Sequence, residues 1–188
     1  MNIVSLKFNS LVPSEWSKGL TYEYFIYPTT AKYSDKDFLF RVSSATITEG
    51  MAKFTNFIGY TRYIAMLDAP LNLSINSKTV EEGSHEVVKF QSEDDVISYS
   101  VGQDLNLMVK EDIKESSFEI VNGFLTYNDD FIIVIALEDT TVVVDSSNHI
   151  LKKLDAIVIE NETRLNIDII SGVNIAVGTI KFPYQIGI

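Results

Sequence analysis

The sequence predicts an all-β protein. Three observations carry that reading. Apolar and polar side chains alternate with the period of a strand from end to end, the alternating stretches are rich in Val, Ile, Tyr, Phe and Thr, and turn signals recur between them at short intervals. A helical period persists nowhere for more than about two turns.

In chain order, Thr21-Tyr22-Glu23-Tyr24-Phe25-Ile26-Tyr27 alternates as a half-buried strand does. The next stretch, Phe38-Leu39-Phe40-Arg41-Val42-Ser43, sets Leu39, Arg41 and Ser43 on one face and Phe38, Phe40 and Val42 on the other. Arg62 follows a turn at Gly59 and begins the apolar strand Tyr63-Ile64-Ala65-Met66-Leu67, which puts it at the mouth of a barrel. Leu71 to Ile75 alternates again, and an extended Asp104 to Met108 places Asp104 and Asn106 on a shared face. Phe131 to Leu137 and Thr141 to Val144 are dense enough for strands buried on both faces. Thr163 to Ile169 returns to alternation. Breaks are expected at Ser34-Asp35, Glu49-Gly50, Asn76-Ser77, Glu82-Gly83, Asn122-Gly123, Asn128-Asp129-Asp130, Ser146-Ser147-Asn148 and Ser171-Gly172. Short strands between regular turns suit a sandwich or barrel. The polar run Lys110 to Ser117 reads as a domain junction, giving an N-terminal unit 1–112 and a C-terminal unit 113–188. The two halves rhyme loosely, as a duplicated small barrel would.

With 188 residues, 46% of them hydrophobic and 11% aromatic, the chain can bury a substantial core. No stretch approaches the roughly 20 apolar residues that cross a bilayer. The start, MNIVSLKFNS, lacks the pattern of a secretory signal, so a cytoplasmic location is expected. Cysteine is absent, which removes disulfides, thiolate metal sites and cysteine nucleophiles together. The net charge of −11 repels phosphate backbones and anionic lipid. The longest basic run is Lys152-Lys153, so neither nucleic acid nor a membrane surface is an expected partner.

Several blocks resemble the HutD/Ves family. Trp16 followed by Gly19, Thr21 and Glu23 is similar to its W-x-N-G-G-G-x-T-x-E opening, and Phe40-Arg41-Val42-Ser43-Ser44-Ala45-Thr46-Ile47 to its W-R-x-S-x-A-x-I strand. Phe54 to Arg62 looks like the F-S-x-F-P-G-x-x-R turn, Met66-Leu67-Asp68 like L-L-E, and Asp104 to Met108 like D-x-N-x-M. Order and spacing agree over residues 16–108. The resemblance implies a bicupin: two cupin-type (RmlC-like) double-stranded β-barrels in tandem. It also implies a link to histidine utilisation in some bacteria, through binding a pathway metabolite or limiting flux, with no established enzymatic activity. Two departures stand out. Lys18 and a single glycine replace the asparagine and three glycines of the opening, so a backbone-lined pocket there is expected to differ. Ile58 replaces the proline of the turn, which leaves the turn's shape less fixed.

The candidate ligand-binding residues are Arg62, Arg41, Asp104, Asn106 and Glu23. An arginine cannot shed its charge, so each must reach an anion or water. Arg62 offers a carboxylate a fork of donors, and the resemblance favours it as the anchor. The alternative for either arginine is a structural salt bridge with Glu23 or Asp104. Asp104 and Asn106 can exchange hydrogen bonds with a ligand amide or hydroxyl, or orient Arg62. Trp16 reads as a packing residue before a stacking platform. His85 and His149 lie 64 residues apart in polar turns without the H-x-H of metal cupins, so no metal and no cofactor is expected. There is no G-x-S-x-G elbow or phosphate loop, and Glu93-Asp94-Asp95, Glu111-Asp112 and Asp129-Asp130 read as solvated turns.

Together with what the resemblance implies, these residues predict a non-metal cupin that binds a small anionic metabolite, a carboxylate or formyl-amide, as a regulator of histidine utilisation. Two alternatives stand beside it. One is a metal-free isomerase, epimerase or hydrolase, with Glu23 or Asp104 as general base and Arg62 stabilising an enolate or oxyanion. The other is a structural or protein-binding role, in which a homodimer is the assembly to test.

Overall fold

The alternating stretches fold as strands. In the computed structural model, which describes residues 1–113 and 115–183, they begin with β1 (Asn2–Leu6), β2 (Ser14–Trp16), β3 (Gly19–Tyr27), β4 (Phe40–Ile47), β5 (Ala52–Lys53) and β6 (Tyr60–Met66). Next come β7 (Leu71–Ile75), β8 (Lys78–Glu82), β9 (Val88–Gln91), β10 (Val96–Ser98) and β11 (Gly102–Lys110). The remainder are β12 (Glu115–Tyr127), β13 (Phe131–Ala136), β14 (Thr140–Val144), β15 (Ser147–Leu151), β16 (Ala156–Glu160) and β17 (Ile167–Lys181). Among the described residues the helical content is two short 3-10 turns, Phe8–Ser10 and Tyr33–Asp35, and no helix is long and apolar enough to cross a membrane.

The chain divides into two units, Leu11–Glu111 and the pairing of Met1–Ser10 with Asp112–Ile188. The boundary at Asp112 lies in the polar run, but the first ten residues differ from the expected 1–112 division. β1 pairs antiparallel with β16, from Asn2 opposite Glu160 to Leu6 opposite Ala156. Beyond it, the Lys7 ammonium and the Phe8 amide both donate to the Asp155 carboxylate, at 2.7 and 3.0 Å.

In the unit Leu11–Glu111, a six-stranded sheet runs β2-β3-β4-β11-β6-β9 and a four-stranded sheet runs β5-β10-β7-β8. Ile64 and Met66 of the first pack with Leu71, Leu73 and Val96 of the second in one buried cluster. Phe38, Phe57, Tyr60 and Met108 form another. There the Phe38 and Tyr60 rings lie 4.8 Å apart, and the Tyr60 hydroxyl donates to the Phe38 carbonyl at 2.6 Å. Each buried phenylalanine contributes roughly 1.5–3 kcal/mol. This cluster explains how the turn before β6 manages without proline. Ile58 is 84% exposed at its tip while Phe57 beneath it is buried, so a packed ring supplies the anchor.

In the other unit, β1-β16-β13-β17-β14-β15 form one sheet with β12 added along β17. β13 is buried throughout, as expected. β14 instead buries Val142 and Val144 and exposes Thr141, so it is covered on one face only. The breaks expected at Asn122-Gly123 and Ser171-Gly172 are a bulge within two long partners: Val121 opposes Ile175, and after the shift Gly123 opposes Ser171. Thr163 to Asn166 lies outside β17. Arg164 takes a left-handed φ of 51° there, held by a 2.7 Å ion pair to Asp130.

Candidate functional site

Register in the six-stranded sheet assembles the site. β11 lies between β4 and β6, so Met108 stands opposite Arg41 on one side and Arg62 on the other. Asn106 likewise opposes Ser43 and Ile64, and Asp104 opposes Ala45 and Met66. Opposed residues share a face. Arg41, Ser43, Met108, Arg62, Asp104 and Asn106 therefore project together, into a cavity of about 330 Å³, near the lower end of small-molecule sites. Trp16 and Thr21 of the β2–β3 hairpin, with Tyr33, Phe54 and Thr55, complete its wall.

Glu23 is the candidate that does not line this cavity. A bulge between Glu23 and Phe25 sets it opposite Ser43, where its Oε2 accepts from Arg41 Nε at 2.6 Å. Arg41 Nη1 donates to Ser43 Oγ at 3.1 Å, and its Cζ lies 4.3 Å from the Tyr33 ring centroid. Arg41 thus takes the salt-bridged role, and Glu23 is its partner.

Arg62 is placed differently, and not at an open mouth. It is 4% exposed, within β6. Nη2 donates to Met108 Sδ at 3.2 Å and reaches the Thr55 carbonyl only at 3.5 Å, with the Phe54 ring 5.2 Å away. Among the described residues it forms no ion pair, and its Nε is buried without a hydrogen-bond partner. Burial pushes its pKa down to about 10, against the opposing influence of Tyr33 and Asp104 and with a further push from Arg41. It stays charged at neutral pH.

Asp104 is equally hidden, at 3% exposure. Its Oδ1 accepts from the Ala45 amide at 2.7 Å. Burial raises its pKa to about 7, while that N–H and then Arg62 and Arg41 pull it down. The linkage to stability is opposite to the usual carboxylate case. Between about pH 4 and 7 the native state keeps a proton that the unfolded chain releases, so stability falls as pH rises through that window. Asp104→Asn keeps the acceptor for Ala45 and removes the titration. Urea melts from pH 4 to 8 should show a wild-type decline, at most roughly 4 kcal/mol, that the variant lacks. Parallel curves would rule out this proton.

Two further polar atoms of the cavity are buried without partners, Trp16 Nε1 and Asn106 Oδ1. With Arg62 Nε they make two donors and one acceptor on residues that line the cavity. An unsatisfied buried group costs roughly 1–3 kcal/mol, so three in one cavity mark it as built for hydrogen bonding. Trp16 lines the cavity, and Tyr33, which covers Arg41, sits in a polar stretch that gave no signal of its place.

Neither histidine lines the cavity. A His85 ring nitrogen lies 3.1 Å from the Leu67 carbonyl. His149 is within β15 opposite Val142, not in a turn, and its Nε2 is buried and partnerless. Among the described residues no three metal-binding side chains come together.

Antiparallel sheets beside the cavity, with cupin proteins among the similar structures, give this chain a cupin-type fold. A cupin 2 conserved barrel domain protein from Leptotrichia buccalis matches at a TM-score of 0.56 and 9% identity, over 96% of each chain. The family model described as HutD matches residues 9–177, and this chain belongs to that family. HutD from Pseudomonas fluorescens SBW25, in a formate condition, aligns at a TM-score of 0.82 and 19% identity, covering 97% of this chain and 100% of that one. A conserved protein of unknown function from Pseudomonas aeruginosa PAO1 aligns at 0.81 and 17% identity, covering 96% and 98%. No curated protein matches the sequence significantly.

Proposed function

We propose that this protein is a cupin-type binder of a small anionic metabolite, built as two cupin barrels in tandem with the ligand in the first. What supports this most is that three residues lining one cavity, Arg62, Trp16 and Asn106, each carry a buried polar atom without a partner, Nε, Nε1 and Oδ1. The two N–H groups suit a carboxylate, and the amide oxygen suits an N–H or O–H beside it. Carboxylates bearing an amide, formyl-amides included, or a hydroxyl meet that pattern. Arg41, already held by Glu23, contributes field and shape. Family membership supports a regulatory role in histidine utilisation, with the ligand an intermediate of that pathway.

The chain has a single tryptophan, and it lines the cavity, so its emission reports occupancy. Titration with formate, N-formylglutamate and urocanate, by calorimetry and Trp16 fluorescence, should give saturable binding of at least one with Kd below about 1 mM. Absence of saturable binding for all three rejects the reading.

A second reading has one observation in its favour: Asp104 is a buried carboxyl in the cavity with its pKa raised to about 7, in the range of a general base. On that reading the protein is a metal-free enzyme, Asp104 moves a proton and Arg62 stabilises the anion that forms. Turnover of histidine-pathway intermediates that is lost in Asp104→Asn would select it.

A further inference from the structure

We infer that the cavity takes up its anion together with one proton, held on Asp104. This rests on the binding proposed above and adds what controls it. The charges at the cavity do not balance evenly. Arg41 and Glu23 are joined at 2.6 Å and cancel one another. Of the other charged residues at the cavity, Arg62 and Asp104 are the two that are almost fully buried, yet they form no ion pair with one another. Asp104 is fixed through Oδ1 to the Ala45 amide, and Arg62 presents an unsatisfied Nε.

An anion that docks on Arg62 does two things to Asp104. It takes up the positive charge that favours the carboxylate, and it sets a second negative charge in the same buried volume. Both act in one direction. At the effective dielectric of protein sites, a unit charge roughly 6–10 Å away raises proton affinity about tenfold to a hundredfold. Because burial already holds Asp104 near neutrality, that change falls in the working pH range. The groups around it are Arg62 on β6, Arg41 on β4 with Glu23 of β3 behind it, Glu15 on β2, Tyr33, and Lys53 on β5, which pairs with Asp95 at 2.7 Å. Among the described residues that line the cavity none is a histidine, so Asp104 is the group placed to titrate near pH 7. The protein would then hold its ligand tightly in mildly acidic conditions and release it as pH rises.

Calorimetry in buffers of different ionisation enthalpy counts the protons taken up per ligand. The probes are formate and N-acetylglycine, whose own carboxylates stay ionised throughout. At pH 7.5, uptake of roughly 0.5–0.75 proton per anion is expected, and Kd should weaken severalfold from pH 6.5 to 8.5. Asp104→Asn should bind with the wild type's low-pH affinity at every pH and take up no proton. Wild-type binding without proton uptake overturns the inference and leaves anion binding intact. Failure of both probes to bind at any pH, with native Trp16 emission retained, sinks both ideas. Uptake that persists in Asp104→Asn assigns the proton elsewhere and also rejects the inference.

Discussion

Arg62→Met should bind the anion at least about 30-fold more weakly and yet be more stable than the wild type, by about 1–2 kcal/mol. The two halves of this expectation come from one feature. Arg62 is buried at 4% exposure without a carboxylate partner. Its neighbours include the Met108 sulfur, the Phe54 ring, the Tyr33 side chain and, at a long approach, the Thr55 carbonyl. A guanidinium in such surroundings pays desolvation without a compensating ion pair, and an unbranched thioether fills the same space without that penalty. Removing this guanidinium, in turn, strips the ligand of its charged donor. Breaking a buried charged hydrogen bond at a binding site costs about 2–5 kcal/mol, which at 1.4 kcal/mol per decade is about 30-fold to several-thousandfold. Urea melts followed by far-UV circular dichroism would give the stability, and calorimetry the affinity. If the variant instead loses more than about 1 kcal/mol of stability, Arg62 is a structural anchor for the Thr55 and Tyr33 segments, and the case for a binding guanidinium fails.

The same contrast shows what the sequence could and could not convey. Strand periodicity is local, so it correctly placed Arg41 with Ser43 and Asp104 with Asn106 on shared faces. All four line the cavity. Which carboxylate serves which arginine depends on register and on the bulge at Glu23–Phe25, and both are properties of paired strands. Glu23 therefore went to Arg41, while Arg62 was left without a carboxylate. Asn122-Gly123 has turn chemistry, but β12 and β17 continue through it as a bulge because each has a long partner. β1 offers five residues and no strong alternation, so only its pairing with β16 reveals its unit. The family motifs were legible through Met108, while the family model extends to residue 177. Beyond Asp112 the strands are specified mostly by apolar composition, which many sequences satisfy and which leaves no distinctive signature. Trp16 and Tyr33 reach the cavity from a hairpin and a 3-10 turn, whose positions no periodicity encodes.

Gly19→Ala should be the most damaging small change in the wall of the cavity, although Gly19 itself lines none of it. The glycine closes the β2–β3 hairpin, paired with Trp16 on one side and Ile47 on the other. Its φ is +155°, and a Cβ there would lie 1.8 Å from the Thr46 carbonyl oxygen and 2.9 Å from its carbon. Those atoms are backbone of β4 and cannot turn aside. The hairpin would have to lift from β4, straining the Thr48 amide bond to the Lys18 carbonyl, 2.8 Å in the wild type. Overpacking of this kind costs about 1–3 kcal/mol, and the upper half of that range is expected because the clash is with main chain. The hairpin also carries Trp16, Thr21 and the rim residues Ser14 and Glu15, so lifting it opens the wall. Trp16 emission should shift to the red and anion affinity should fall at least tenfold, while the Arg41–Glu23 and Asp104–Ala45 contacts persist. This follows from the one glycine that survives of the three in the family opening. In the shortened opening, the close approach of backbone to backbone falls on a single residue. A variant with wild-type melting and an unshifted Trp16 spectrum would show that the hairpin tolerates a side chain there, and that the cavity wall is set by something other than this contact.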